Sequence, residues 1–134
     1  MSKIIYSNSN GIACIITPTG DVNDAIKDVP SGVSYEIVEN NKIPTDRTFR
    51  NAWVKGSGVV TEDVTKAKVI AHTTRRNKRE VEFKPHDDII SKQIPGQSAS
   101  DAETARAAIR TKYATMQTNI DNATTISKIK EALE

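Results

Sequence analysis

The sequence predicts an α+β fold: a small N-terminal antiparallel sheet with one short helix, then a C-terminal helical region of two long helices and a short terminal helix. The first half contains short β-branched runs separated by turn residues, and the second half carries apolar residues spaced three and four apart. These patterns predict a β-rich domain at 1–60 and a helical region at 61–134, with a hinge rich in Pro, Gly and Ser at about 85–100.

The start of the chain has the pattern of a β-hairpin. Two apolar, β-branched runs at 3–7 and 12–17 flank the sequence Asn8-Ser9-Asn10-Gly11, whose residues tolerate the positive φ angles of tight turns. A short helix is then expected at 21–29, because its apolar residues are spaced three, one and three apart and Pro30 stops it.

Two further strands are expected before the helical half. Residues 34–39 alternate in the way that a strand with two different faces requires. The segment 52–60 could add an edge strand, interrupted by Gly56 and Gly58. The sequence Gly56-Ser57-Gly58 is too short for a phosphate-binding loop and is interpreted as a flexible turn.

The second half is predicted to be helical. A first long helix is expected over 61–84, where apolar residues recur at helical spacing and Pro85 then bars simple continuation. A second helix is expected to begin at Ser100, which has the spacing of a capping box with Glu103. A last short helix is expected at 126–133. The apolar stripe of the second helix, which must be covered, consists of Ala102, Ala105, Ile109, Tyr113, Met116 and Ile120.

Composition limits the classes of protein to which the chain can belong. The 134 residues carry 19 Lys and Arg against 17 Asp and Glu, and this net charge of +2 shows no overall commitment to nucleic acid or to an anionic membrane. The aromatic content of 4% is low, so a partner is expected to supply part of the burial. The single Cys14 cannot form an intramolecular disulfide. Since no run approaches the roughly 18 apolar residues of a membrane span and no secretory signal is evident, a soluble protein made in a cytoplasm is expected.

The strongest local charge feature is the basic helix at 66–84, which contains the run TRRNKRE. One interpretation is a nucleic-acid-binding face, and the other is a solvated or partner-facing helix surface. The second is favoured, because a nucleic-acid-binding domain is expected to be basic overall and to carry a recognised motif. The side chains that would bind an anion are Arg75, Arg76, Lys78 and Arg79.

No group of residues has the pattern of a catalytic or metal site. His72 and His86 are the only histidines, and neither belongs to a known ligand motif. Asp87 and Asp88 are adjacent, so regular structure would point them apart. Cys14 lies in an apolar strand, where a thiol behaves as a small hydrophobe. The sequence therefore predicts a protein that is not an enzyme and uses no cofactor and no metal.

The segment 43–53 combines aromatic and basic residues. It contains the only Trp and one of the two Phe residues, beside two arginines. This composition is typical of protein interfaces. An equally weighted interpretation is that the aromatic residues pack onto the small sheet while the arginines stay in water. The four residues concerned are Arg47, Phe49, Arg50 and Trp53.

Three stretches of the chain resemble a known group of proteins: IPTDRTFRNAW, the helix KAKVIAHTTRRNKR, and the closing ARAAIRTKYATMQTNIDNATTISKIKEAL. In order and spacing they resemble small proteins encoded beside the tail-fibre and tail genes of tailed bacteriophages and prophages, the tail fibre assembly and tail assembly chaperone-like group. The resemblance covers nearly the whole chain. One departure is that Pro85, Pro95 and Gly96 interrupt a region where such proteins often continue as helix.

The resemblance implies a bacteriophage protein that binds another tail, tail-fibre or virion protein, either as an assembly chaperone or as a minor virion component. Its location would be the host cytoplasm during assembly, or the virion tail. A homo-oligomer is compatible with the sequence, and neither a membrane nor nucleic acid is the expected partner. The expected contact surfaces are the 43–53 residues named above and the stripe residues Ala105, Ile109, Tyr113, Met116 and Ile120.

Overall fold

The computed structural model describes residues 1–134 and confirms the α+β class, with an N-terminal antiparallel sheet followed by two long helices and a short one. The chain divides into two compact units, which we call unit 1 (Met1–Ala67) and unit 2 (Lys68–Glu134). The division falls inside the first long helix, whereas the sequence placed a domain boundary at residue 60.

The predicted hairpin is present in unit 1. Strands β1 (Ser2–Ser7) and β2 (Ala13–Ile16) pair antiparallel, and β3 (Tyr35–Glu39) pairs antiparallel with the other side of β1, so that the order is β2-β1-β3. The turn between β1 and β2 is held by the Asn8 side chain. Its Oδ1 accepts hydrogen bonds from the N–H groups of Asn10 and Ile12, both at 2.9 Å.

The short helix predicted at 21–29 is a 3₁₀ helix, Val22–Asp28. Asp21 caps it, since its Oδ1 accepts a hydrogen bond of 2.8 Å from the Asn23 N–H. The buried Ala25 lies on this helix, which contacts β1.

The prediction of a single edge strand over 52–60 is wrong. The segment forms a separate two-stranded antiparallel sheet of β4 (Trp53–Lys55) and β5 (Val60–Glu62). The glycines form the turn between the two strands: the Gly56 N–H donates to the Val59 carbonyl at 2.8 Å, and Gly58 has φ +67°.

One face of the three-stranded sheet carries the core of unit 1. Alternation along the strands places one apolar set on this face, and Trp53 of β4 packs against it. The buried members of this cluster are Ile5, Ala13, Val38, Trp53 and Val60.

The predicted end of the first long helix at Pro85 is wrong. Helix α1 is Val64–Lys92, with Pro85 inside it. Proline lacks the N–H that would bond to the carbonyl four residues earlier. Two ion-pair groups hold the segment that follows: Asp88 pairs with lysines four residues away on both sides, at 3.3 and 3.7 Å, and Asp87 pairs with Arg106 at 2.9 Å.

The predicted hinge at 85–100 is accordingly reduced to the short loop 93–98, in which Gly96 has φ +80°. Helix α2 is Ala99–Asn122. The predicted capping box of Ser100 with Glu103 is wrong, because the cap is Ser98, whose Oγ accepts a hydrogen bond of 3.1 Å from the backbone of Asp101.

The short terminal helix is confirmed as α3 (Ile126–Ala132), which contacts α2. Thr125 caps it, since its hydroxyl accepts a hydrogen bond of 3.2 Å from the Lys128 N–H. No helix in the structure combines the length and the apolar character that crossing a membrane requires.

Candidate functional site

The predicted apolar stripe of α2 faces the interior. Ile109, Tyr113, Met116 and Ile120 are all buried, and Ala105 is half-buried. The chain thus covers most of this stripe itself.

A polar connection between α1 and α2 lies at the edge of the stripe. The carboxylate of Glu82 accepts hydrogen bonds from Lys112 Nζ at 2.7 Å and from the hydroxyl of Tyr113 at 2.8 Å. The bond from Lys112, and then that from Tyr113, lowers the pKa of Glu82. Burial, together with the bond to Glu82, raises the pKa of Tyr113. The buried hydroxyl therefore has the acceptor that it requires.

Glu82→Gln is expected to reduce the acid sensitivity of unit 2. Because the folded pKa of Glu82 is lowered, its stabilising contribution is present above the unfolded pKa of about 4.3 and is lost as the pH falls through the folded value. The side chain is 37% exposed, so the effect is expected to stay below about 1 kcal/mol. Urea unfolding at pH 7 and pH 3 measures it, with the exposed Glu80→Gln as control. An equal loss of stability in both variants on acidification would contradict the prediction.

An apolar groove of about 440 Å³ lies beside this connection in unit 2. Its apolar walls come from Val81 of α1, Tyr113 and Met116 of α2, and Leu133. Val81 is 72% exposed, so its side chain is accessible from solvent within the groove. The polar residues at the rim are Asn77, Lys78, Glu82, Lys112 and Glu134.

In the 43–53 segment, the two aromatic residues are part of the interior. Phe49 and Trp53 are each 1% exposed. A 3₁₀ turn, Arg50–Ala52, connects them. The Asp46 side chain begins the segment's turn by accepting hydrogen bonds from the Thr48 N–H and hydroxyl at 2.9 and 2.6 Å. Both aromatic side chains are therefore buried, and Trp53 belongs to the apolar cluster of the three-stranded sheet.

The two arginines of the segment remain accessible and lie over Trp53. The guanidinium carbons of Arg50 and Arg47 are 4.5 and 5.7 Å from the centre of the indole ring. Both distances fall within the range of cation–π contacts. Burial lowers the pKa of Arg50, and the positive charge of Arg47 adds to this.

These side chains line a pocket of about 370 Å³ in unit 1, which we call the Arg–Trp pocket. Lys3 of β1 also lines it, and so do the neutral polar residues Asn40 and Thr17. No Asp or Glu lines the pocket. Three positive charges therefore meet around one cavity without a negative charge in its wall.

The four predicted anion-binding residues of α1 lie in different environments. Arg75 is 7% exposed, and its Nε–H donates to His72 Nδ1 at 3.3 Å. Lys78 donates to the Leu133 carbonyl at 2.9 Å, Arg76 to the Thr73 hydroxyl at 3.3 Å, and Arg79 lies 5.0 Å from the centre of the Phe83 ring. Each of the four thus has a partner within unit 2.

The two histidines do not meet. They are fourteen positions apart on α1, or about 21 Å along its axis. His72 Nε2 lies 2.8 Å from Asp121 Oδ1. Because the Arg75 Nε–H donates to Nδ1, the histidine proton must lie on Nε2 and point to Asp121. No group of three or more His, Cys, Asp or Glu side chains is arranged to hold a metal ion.

No protein-family model, curated protein or solved structure matches the chain.

Sequence reasoning missed two residues that define these surfaces. Val81 was not singled out, since one exposed valine within a helix leaves no periodic signal. Lys3 precedes Arg47 by 44 positions, and only the pairing of strands and the packing of the 43–53 segment bring them to one pocket. The alternation of β1 does place Lys3 on the same face as Ile5, and this was the one feature of the sequence that could have indicated its position.

Proposed function

We propose that the chain is a non-enzymatic protein of a tailed bacteriophage that binds another tail or virion protein through the apolar groove of unit 2. The observation that carries the protein-binding part is the exposure of Val81 within this groove. The assignment to a phage rests on the resemblance of the stretches IPTDRTFRNAW, KAKVIAHTTRRNKR and the C-terminal helices to tail-associated proteins.

The groove suits one apolar side chain presented by a helix of the partner. Its walls are helical and apolar, and its rim carries two lysines and two glutamates, so it has no strong preference for either charge. Amphipathic helices commonly bind in grooves of this kind, with a few apolar anchors providing most of the affinity. The contact differs from the one expected from the sequence, since only Tyr113 and Met116 of the α2 stripe line the groove, and its exposed residue is Val81 of α1.

Val81→Glu is expected to weaken binding to the partner at least about tenfold, because the apolar contact is lost and a carboxylate would lose its hydration in the complex. The assay is quantitative co-purification with the tail-fibre and tail proteins of the phage or prophage that encodes the chain. Far-UV circular dichroism confirms that the variant is folded.

The matched control is Val69→Glu. Val69 lies on the same helix, is 64% exposed and does not line the groove, so its replacement is expected to leave binding unchanged. Binding of a folded Val81→Glu variant at the wild-type level would exclude the groove as the contact.

Mass spectrometry of purified virions separates the two forms of the proposal. A stoichiometric signal identifies a minor structural component. A signal in assembly intermediates alone identifies a chaperone. Absence from both virions and intermediates would contradict a role in the tail.

A further inference from the structure

We infer that the Arg–Trp pocket of unit 1 is a binding site for an oxyanion, a phosphate or carboxylate group, held by Lys3, Arg47 and Arg50. The site is distinct from the groove of the proposed function and lies in the other unit.

The positive charge of the pocket is not compensated by ion pairs. None of the three cationic side chains takes part in a salt bridge, although eight such ion pairs occur elsewhere in the chain. Arg47 and Arg50 lie close enough to repel each other, and Arg50 is half-buried. Gathering like charges around a concave surface is unfavourable, and a bound anion would relieve that repulsion.

One residue in the wall of the pocket carries an unsatisfied hydrogen-bond donor. Trp53 lines the pocket and is 1% exposed, and its indole Nε1–H is buried without a hydrogen-bond partner. A buried donor of this kind costs free energy unless an acceptor reaches it. An oxyanion carries only acceptor oxygens. These oxygens match the N–H donors of the guanidinium groups above the indole ring.

The size and the lining of the pocket limit the chemistry of its ligand. A volume of about 370 Å³ exceeds that of a single monatomic ion and lies at the small end of ligand pockets. Guanidinium groups present paired donors that match the planar carboxylate and the phosphate. The neutral wall residues Asn40 and Thr17 can donate further hydrogen bonds. The ligand class is therefore a small organic or inorganic oxyanion, or an acidic side chain of a peptide.

Trp53 offers a direct readout, because it is the only tryptophan in the chain and lies beneath both arginines. The full chain is titrated at low ionic strength with inorganic phosphate and, separately, with a short glutamate-rich peptide, while the tryptophan emission is recorded. Sodium chloride at equal ionic strength controls for screening. A saturable change in tryptophan emission with phosphate alone indicates that the ligand is a free anion. A saturable change with the peptide alone indicates an acidic segment of another protein. Either result supports the site.

Arg47→Gln and Lys3→Gln are each expected to weaken the response at least about tenfold, since each removes a charged hydrogen bond to the anion. Arg76→Gln is the matched control, because Arg76 is exposed and lies on α1, outside the pocket. The inference is overturned by the absence of a saturable change with either ligand. It is equally overturned if Arg76→Gln weakens the response as much as Arg47→Gln does, because the binding would then be unspecific.

Discussion

Trp53→Ala is expected to destabilise unit 1 by about 3–5 kcal/mol. Trp53 is among the largest fully buried side chains and shares one apolar cluster with residues of all three strands of the first sheet. Replacing it leaves a cavity in a small core, and domains with small cores have a low free energy of unfolding. Urea unfolding followed by far-UV circular dichroism measures the change, because the tryptophan signal itself is removed.

Two controls make this result interpretable. Trp53→Phe keeps most of the apolar volume and removes the unpaired indole N–H, so it is expected to cost clearly less than the alanine variant. Val69→Ala alters an exposed side chain and is expected to change stability by less than about 0.5 kcal/mol. A Trp53→Ala variant as stable as Val69→Ala would show that Trp53 does not pack as described.

Pro85→Ala is expected to stabilise the protein by about 2 kcal/mol. Proline inside a helix is about 3 kcal/mol less favourable than alanine, and the substitution restores an N–H that can bond to the Val81 carbonyl. Part of this gain in stability is lost, because proline also restricts the unfolded chain. Its removal increases the conformational entropy of the unfolded state, which lowers the free energy of unfolding by about 0.4–1 kcal/mol. The expected result is a higher urea midpoint with equal or greater helical content.

Pro95→Ala is the matched control, since Pro95 lies in the loop between α1 and α2. No helical hydrogen bond is restored there, so no gain in stability is expected. Equal effects of the two substitutions would contradict a continuous helix through residue 85.

Local sequence chemistry predicted most of the elements. The hairpin of β1 and β2 follows from β-branched runs around an Asn-rich turn, and α3 follows from its threonine cap and apolar spacing. The hairpin and α3 both depend on residues that are near one another in sequence. The errors arose where distant contacts compete with local preference. Pro85 was expected to end α1, but the ion pair of Asp87 with Arg106 and those of Asp88 help to hold the next two turns.

The candidate sites were predicted less completely than the fold. Sequence reasoning selected Arg47 and Arg50 and left open whether Trp53 faces a partner or the core, because spacing alone cannot give the depth of a side chain. Sequence reasoning identified the α2 stripe as apolar but did not predict that the chain itself covers most of it. Lys3 and Val81 became visible only once separate segments were brought together.

The sequence by itself determined the fold class, the positions of most strands and helices and the identity of the apolar faces, because these depend on hydrogen bonding and side-chain periodicity over a few residues. Only the tertiary structure decided which apolar faces are already occupied within the chain and which charges lack a counter-charge. Burial and charge pairing depend on residues far apart in sequence, such as Lys3 with Arg47 around one pocket and Glu82 with Lys112 across two helices.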